Sequence, residues 1–89
     1  MTEEQKKVFD TLKPFEQRLI EEYRELDTKL DKLNAFIDPE NYSYVSLDLA
    51  EQADLVTQSH AMTIYKIALG NRLTRKGLFH VFFPPTEDE

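Results

Sequence analysis

The residues best equipped for chemistry crowd the last third of the chain, where Lys66, Arg72, Arg75 and Lys76 stand close to Tyr65, Phe79 and His80. Guanidinium groups fork onto phosphate oxygens, an ammonium adds a point charge, and aromatic faces stack on bases. Together they are the equipment for holding a nucleotide. The plainer account is that bases near a helix end complement its dipole and that the aromatic run "LFHVFFPP" covers neighbouring apolar surface.

Catalytic patterns are missing by comparison. With glycine only at Gly70 and Gly77, no phosphate-cradling loop or dinucleotide fingerprint can be built. Serine and threonine occur near His60 and His80, but at no spacing diagnostic of a nucleophile, so no catalytic residue and no enzyme activity is assigned. His60 falls on what reads as the inner register of a helix, and Glu51 and Asp54 do not share its turn as metal ligands would. The chain has no cysteine, which removes disulfides and thiolate metal sites together. We expect no metal and no cofactor.

Charge is segregated. The net charge is −6, from 17 acids and 11 bases, yet residues 55–86 hold no acid and four bases. An acidic surface does not suit duplex nucleic acid, and the basic segment is too short to wrap one. Nor does any run of about 18 apolar residues suggest a membrane span or a secretory leader, so a cytosolic setting is expected.

The elements that must position these groups follow from spacing. Val8, Leu12, Phe15, Leu19, Tyr23, Leu26, Leu30, Leu33 and Ile37 recur every three or four residues, as one helical stripe with a heptad seam from Leu19 onward. Pro14 divides it into a short helix over residues 3–12 and a long one over 14–37, a single kinked helix being the alternative. Asp38-Pro39 ends the long helix and opens a loop over 38–46. Ser46 reads as the N-cap of a second long helix over 47–76, which Gly77 stops. That helix carries Leu49, Ala53, Val56, His60, Ile64, Ile67 and Ala68, with Leu55, Met62, Tyr65, Leu69 and Leu73 beside them, an apolar face too broad for one neighbour. Residues 77–85 have strand composition and read as an extended strap onto a neighbouring subunit, and 86–89 as disordered.

The expected fold is all-α: a long antiparallel helical hairpin with a short N-terminal helix and an extended C-terminal tail, in one domain. A hairpin of this size does not bury both faces, so assembly into a helical-bundle dimer or tetramer is expected.

Three patterns on this hairpin carry a family resemblance: "R-L-x-x-E-Y-x-E-L" opening the first long helix at Arg18, "K-L-x-A-F-I" closing it at Ile37, and "N-R-L" at Asn71 to Leu73. Over residues 15–73 the chain resembles small phage helical proteins related to a crAss-like phage product, a group that includes phage anti-CBASS sponges. The resemblance implies a counter-defence protein in the cytoplasm of an infected bacterial host, which sequesters a cyclic oligonucleotide immune signal, a cyclic dinucleotide above all, without cleaving it. It supplies no ligand motif residue by residue. The assignment of Tyr65, Lys66, Arg72, Arg75, Lys76, Phe79 and His80 to ligand binding therefore comes from their chemistry. The alternative is an inhibitor or adaptor of a host protein, bound through the acidic helix or the apolar tail.

Overall fold

A computed structural model describes residues 1–85, and the expectation of disorder for 86–89 lies outside the described residues. The chain runs α1 (Glu3–Thr11), α2 (Pro14–Phe36), α3 (Tyr42–Val45), α4 (Leu49–Arg75) and α5 (Phe79–Phe82). No strand occurs among the described residues.

Local chemistry sets the boundaries. Thr2 and Gln5 form a reciprocal capping box at the start of α1. Leu12 and Lys13 are both extended, so α1 and α2 are separate helices, with Pro14 in the first turn of α2 where its missing N–H costs nothing. The backbone N–H of Lys13 donates to the Glu16 carboxylate at 3.0 Å.

The loop after α2 holds a helix the spacing did not suggest. The Asp38 carboxylate accepts from the Glu40 N–H, and Asn41 caps α3 by accepting from the Ser43 N–H. Ser46 is not the cap of α4. It has helical φ and ψ as the C-cap of α3, while Asp48 has the extended conformation a cap needs and accepts the Glu51 N–H at 2.8 Å.

Helices α2 and α4 pack antiparallel: Ser59 bonds Asn34, Lys66 pairs with Asp27, and Gly70 lies against Tyr23. The core consists of Leu19, Ile20, Tyr23 and Leu26 from α2, Leu69 and Leu73 from α4, and Leu78 and Phe82 beyond them. Leu33 and Ile37 are only half-buried, and Phe15 is exposed, so the stripe is covered over its middle and thins at both ends.

The C-terminal segment corrects the expectation of an extended strap. Gly77, at φ +71°, ends α4 in a Schellman turn in which the Leu78 N–H donates to the Leu73 carbonyl and the Gly77 N–H to Thr74. The chain then folds back through α5. Strand geometry would send Leu78 and Phe79 to opposite faces, whereas one helical turn puts Leu78, Phe79, Phe82 and Phe83 together against the hairpin and leaves His80 and Val81 outside. Phe82 meets Phe9 edge to face with centroids 6.3 Å apart, and the Gln5 side-chain amide donates to the Val81 carbonyl at 2.8 Å. The tail thus packs on its own chain.

Two further expectations change on α4. His60 is exposed, not on the inner face. Leu49, Ile64 and Ile67 lie outside the inner face: Leu49 is 81 % exposed, Ile64 70 % and Ile67 58 %. Half-buried Leu55, Val56 and Met62, with buried Ser59, Leu69 and Leu73, form the inner face instead.

Candidate functional site: a groove between α2, α4 and α5

One side of α4 and the facing part of α2 bound a groove of about 330 Å³, to whose lining Phe79 of α5 also contributes. Thr63, Lys66, Ile67, Gly70, Asn71 and Thr74 recur at helical spacing and give α4's wall, while Tyr23 and Leu30 give α2's. The volume lies at the lower end of the range for small-molecule sites.

Gly70 lies in the groove's wall against two rings. A Cβ there would stand 3.4 Å from the Tyr23 ring and 3.6 Å from Phe79, in ordinary contact with both. Those rings meet edge to face, 5.6 Å apart at 86°, and Phe83 leans on Tyr23 at 4.6 Å. Tyr23 and Phe79 thus give the groove an aromatic wall braced by ring–ring contacts.

Its charged lining residue, Lys66, is held in an ion pair with Asp27, which is not itself among the lining residues. The Lys66 ammonium reaches across from α4 to Asp27 Oδ1 on α2, and sits 5.8 Å from the centre of the Tyr23 ring. The hydrogen bond to Asp27 raises the Lys66 pKa above its ordinary value, with partial burial acting against it. Burial raises the Tyr23 phenol in turn, Lys66 opposing and Asp27 assisting. The hydroxyls of Thr63 and Thr74 donate to the carbonyls of Ser59 and Gly70. Their lone pairs remain as acceptors.

Of the residues singled out from sequence, Lys66 and Phe79 line the groove. Arg72 and Arg75 are exposed on the last turns of α4, following Asn71 and Thr74 of the groove wall. The Lys76 ammonium lies over the Phe15 ring at 4.8 Å, on the α2 side. Tyr65 is half exposed and outside the lining, and His80 is exposed beside Phe79. Sequence reasoning missed Tyr23, Asp27, Asn71 and Gly70. Tyr23 read as a seam residue and Asp27 as one acid among many on a solvated helix.

The described residues contain no group of three or more histidine, cysteine or acidic side chains placed to hold a metal ion, and no helix long and apolar enough to cross a membrane. A family model described as Sequestin matches residues 13–75.

The chain belongs to the Sequestin family.

The match runs from the residue preceding Pro14 to the end of α4, so the Sequestin region contains α2, α3 and α4, while α1 and α5 lie outside it. Of the groove's lining, only Phe79 falls beyond the Sequestin match. The name Sequestin speaks of sequestering, which is a binding role, and names neither a reaction nor a ligand. Among curated proteins and among solved structures, none matches the chain.

Proposed function

We propose that this protein captures a cyclic di- or oligonucleotide and holds it intact, as a phage counter-defence protein depleting an immune signal in the cytoplasm of its bacterial host. The observation that carries this reading is the groove itself, lined by aromatic and polar side chains on a helix whose last turns are basic. A groove walled by Tyr23, Phe79, Thr63 and Asn71 suits a base, and the exposed guanidiniums of Arg72 and Arg75 follow along the same helix. Lys76, Tyr65 and His80, which lie outside the groove's lining, are assigned to the ligand surface by their chemistry alone. The Sequestin match and the resemblance to phage anti-CBASS sponges support sequestration over turnover.

The protein acts as a homo-oligomer, a dimer or tetramer. The exposed stripe of Leu49, Ile64 and Ile67 supports this, because a chain of this size gains from covering such a surface. Ile67 also lines the groove, so a second copy on that stripe would stand at the ligand's side. A two-fold ligand then meets the same residues twice.

A panel of cyclic nucleotides in a thermal-shift assay tests the reading. At about a hundredfold excess over Kd the right ligand stabilises the fold by ~2.7 kcal/mol, and mass spectrometry of the released ligand should find it uncleaved. Failure of every cyclic nucleotide to shift the melt sinks the proposal. The same exposed stripe is what would favour the second reading, a host-protein inhibitor, which predicts a stoichiometric host protein in a lysate pull-down. The C-terminal rings are less suited to that role, since Phe82 is buried in the protein's own core.

A further inference from the structure

We infer that α1 positions one wall of the groove: Gln5 and Phe9, neither of which lines it, set through α5 where Phe79 stands. The inference rests on the nucleotide reading above and adds to it the residues that hold the groove's shape from outside.

Every other lining residue belongs to α2 or α4, long helices packed on each other, whereas Phe79 belongs to a single turn. That turn has the Phe82 N–H on the Leu78 carbonyl at 3.3 Å and the Phe83 N–H on the Phe79 carbonyl at 2.8 Å, and so short a helix does not persist without tertiary contacts. It joins α4 through Gly77, where nothing lies within 4 Å of a Cβ position. What packs against α5 therefore decides where it sits.

α5 is held on two sides. On one, the Phe79 and Phe83 rings pack on Tyr23 with centroids 5.6 and 4.6 Å away. On the other, α1 supplies the contacts: Phe9 meets Phe82 edge to face, and the Gln5 amide donates to the Val81 carbonyl at 2.8 Å. α1 is itself fixed to α2, since the Gln17 amide donates to the Phe9 carbonyl at 2.8 Å. A continuous route thus runs from α2 through Gln17, Phe9 and Gln5 to Val81 and Phe82, and within one turn to Phe79. Both α1 and α5 lie outside the Sequestin match, so the lining residue beyond the match is braced by an element that is also beyond it.

Gln5 has two bonding roles that chemistry can separate. Its Oε1 accepts from the Thr2 N–H at 2.9 Å in the capping box, while its amide N–H reaches Val81. Glutamate keeps the first role, loses the second, and sets a carboxylate against the Val81 carbonyl. Gln5→Glu therefore leaves α1 capped and cuts its tie to α5.

Two readouts on the full chain test this. Phe79 meets the Tyr23 ring edge to face, so the NMR signals of that ring in tyrosine-labelled protein, identified with Tyr23→Phe, report where Phe79 stands. Gln5→Glu should move them toward their values in Phe79→Ala. Titration calorimetry with cyclic dinucleotides carrying two guanines, two adenines or one of each gives the second readout. Phe79→Ala should weaken binding about tenfold and Gln5→Glu about threefold. The double variant should bind no more weakly than Phe79→Ala alone, because Gln5 acts only through Phe79. Phe79→Leu takes the place of Phe79→Ala if the latter loses its helical circular-dichroism spectrum. Tyr23 signals that stay in place in Gln5→Glu, affinity unchanged in either single variant, or losses that add in full would each overturn the inference and leave the sequestration reading standing. Failure of the unaltered chain to bind any of these ligands removes that reading, and the Tyr23 signals alone then decide whether α1 sets the position of Phe79.

Discussion

Tyr23 joins the protein's stability to its groove, because its ring is part of the core while it also forms the wall beside Lys66. Both groups hold their protons more tightly folded than unfolded, Tyr23 because it is desolvated and Lys66 because it is bonded to Asp27. Their contribution is therefore complete below the ordinary tyrosine and lysine values of 10.0 and 10.5 and is lost as pH rises through the raised folded values. Urea titrations on the alkaline side should show stability falling above about pH 10, and Tyr23→Phe should flatten part of that fall. Gly70 couples the two properties in the opposite sense. Alanine there would meet both rings at ordinary contact distances while raising helix propensity, so Gly70→Ala should raise the melting temperature, by up to about 1 kcal/mol of stability. It should also weaken ligand binding, since the added methyl group takes up space at the groove's lining. Little of this was legible in sequence. Lys66 and Phe79 stood out by chemistry, but Asp27 became distinct from the other acids of α2 only once α4 brought Lys66 opposite it.

At the scale of elements, the turn after α4 governs what the C-terminal residues do. Gly77 has nothing within 4 Å of where a Cβ would stand, so the cost of Gly77→Ala comes from its left-handed backbone alone, roughly 1–2 kcal/mol in a chemical-denaturation midpoint. Phe82→Ala should cost more, about 3 kcal/mol, because it empties a buried position shared by α1 and α5. Cutting the chain after Gly77 should accordingly lower the monomer's own stability, and not only its assembly. The helical hairpin was readable because the seam from Leu19 to Leu30 has a period no strand shares. The tail was misread because its aromatic and β-branched composition favours a strand when nothing else is known. What decides is that Leu78 must return to Leu73, and from there one helical turn puts the rings on Tyr23 and Phe9. The second helix misled for a related reason. Its apolar residues occupy two faces, and periodicity cannot tell which one α2 covers.

At the scale of the molecule, the described chain is an elongated body of 48 × 27 × 18 Å with apolar surface left on the outer side of α4. If that surface meets a second copy, Ile64→Glu should convert the oligomer to a monomer in light scattering while leaving helix content unchanged. A native chain that is already monomeric at micromolar concentration would argue against assembly. Residues 38–54, at the hairpin turn and the start of α4, hold five acids and no base, while the end of α4 is basic, so association that pairs these ends should weaken as salt is raised. The contact between Gln5 and Val81 has a topological meaning of its own. Residues 76 apart in sequence meet across one hydrogen bond, so the described chain comes close to a closed ring. A short linker joining those two regions, with new ends opened at the exposed Pro39–Glu40 turn, should give a circular permutant with the same groove. In that permutant α1 and α5 become one continuous internal connection, and the hairpin's turn becomes the place where the protein starts and stops.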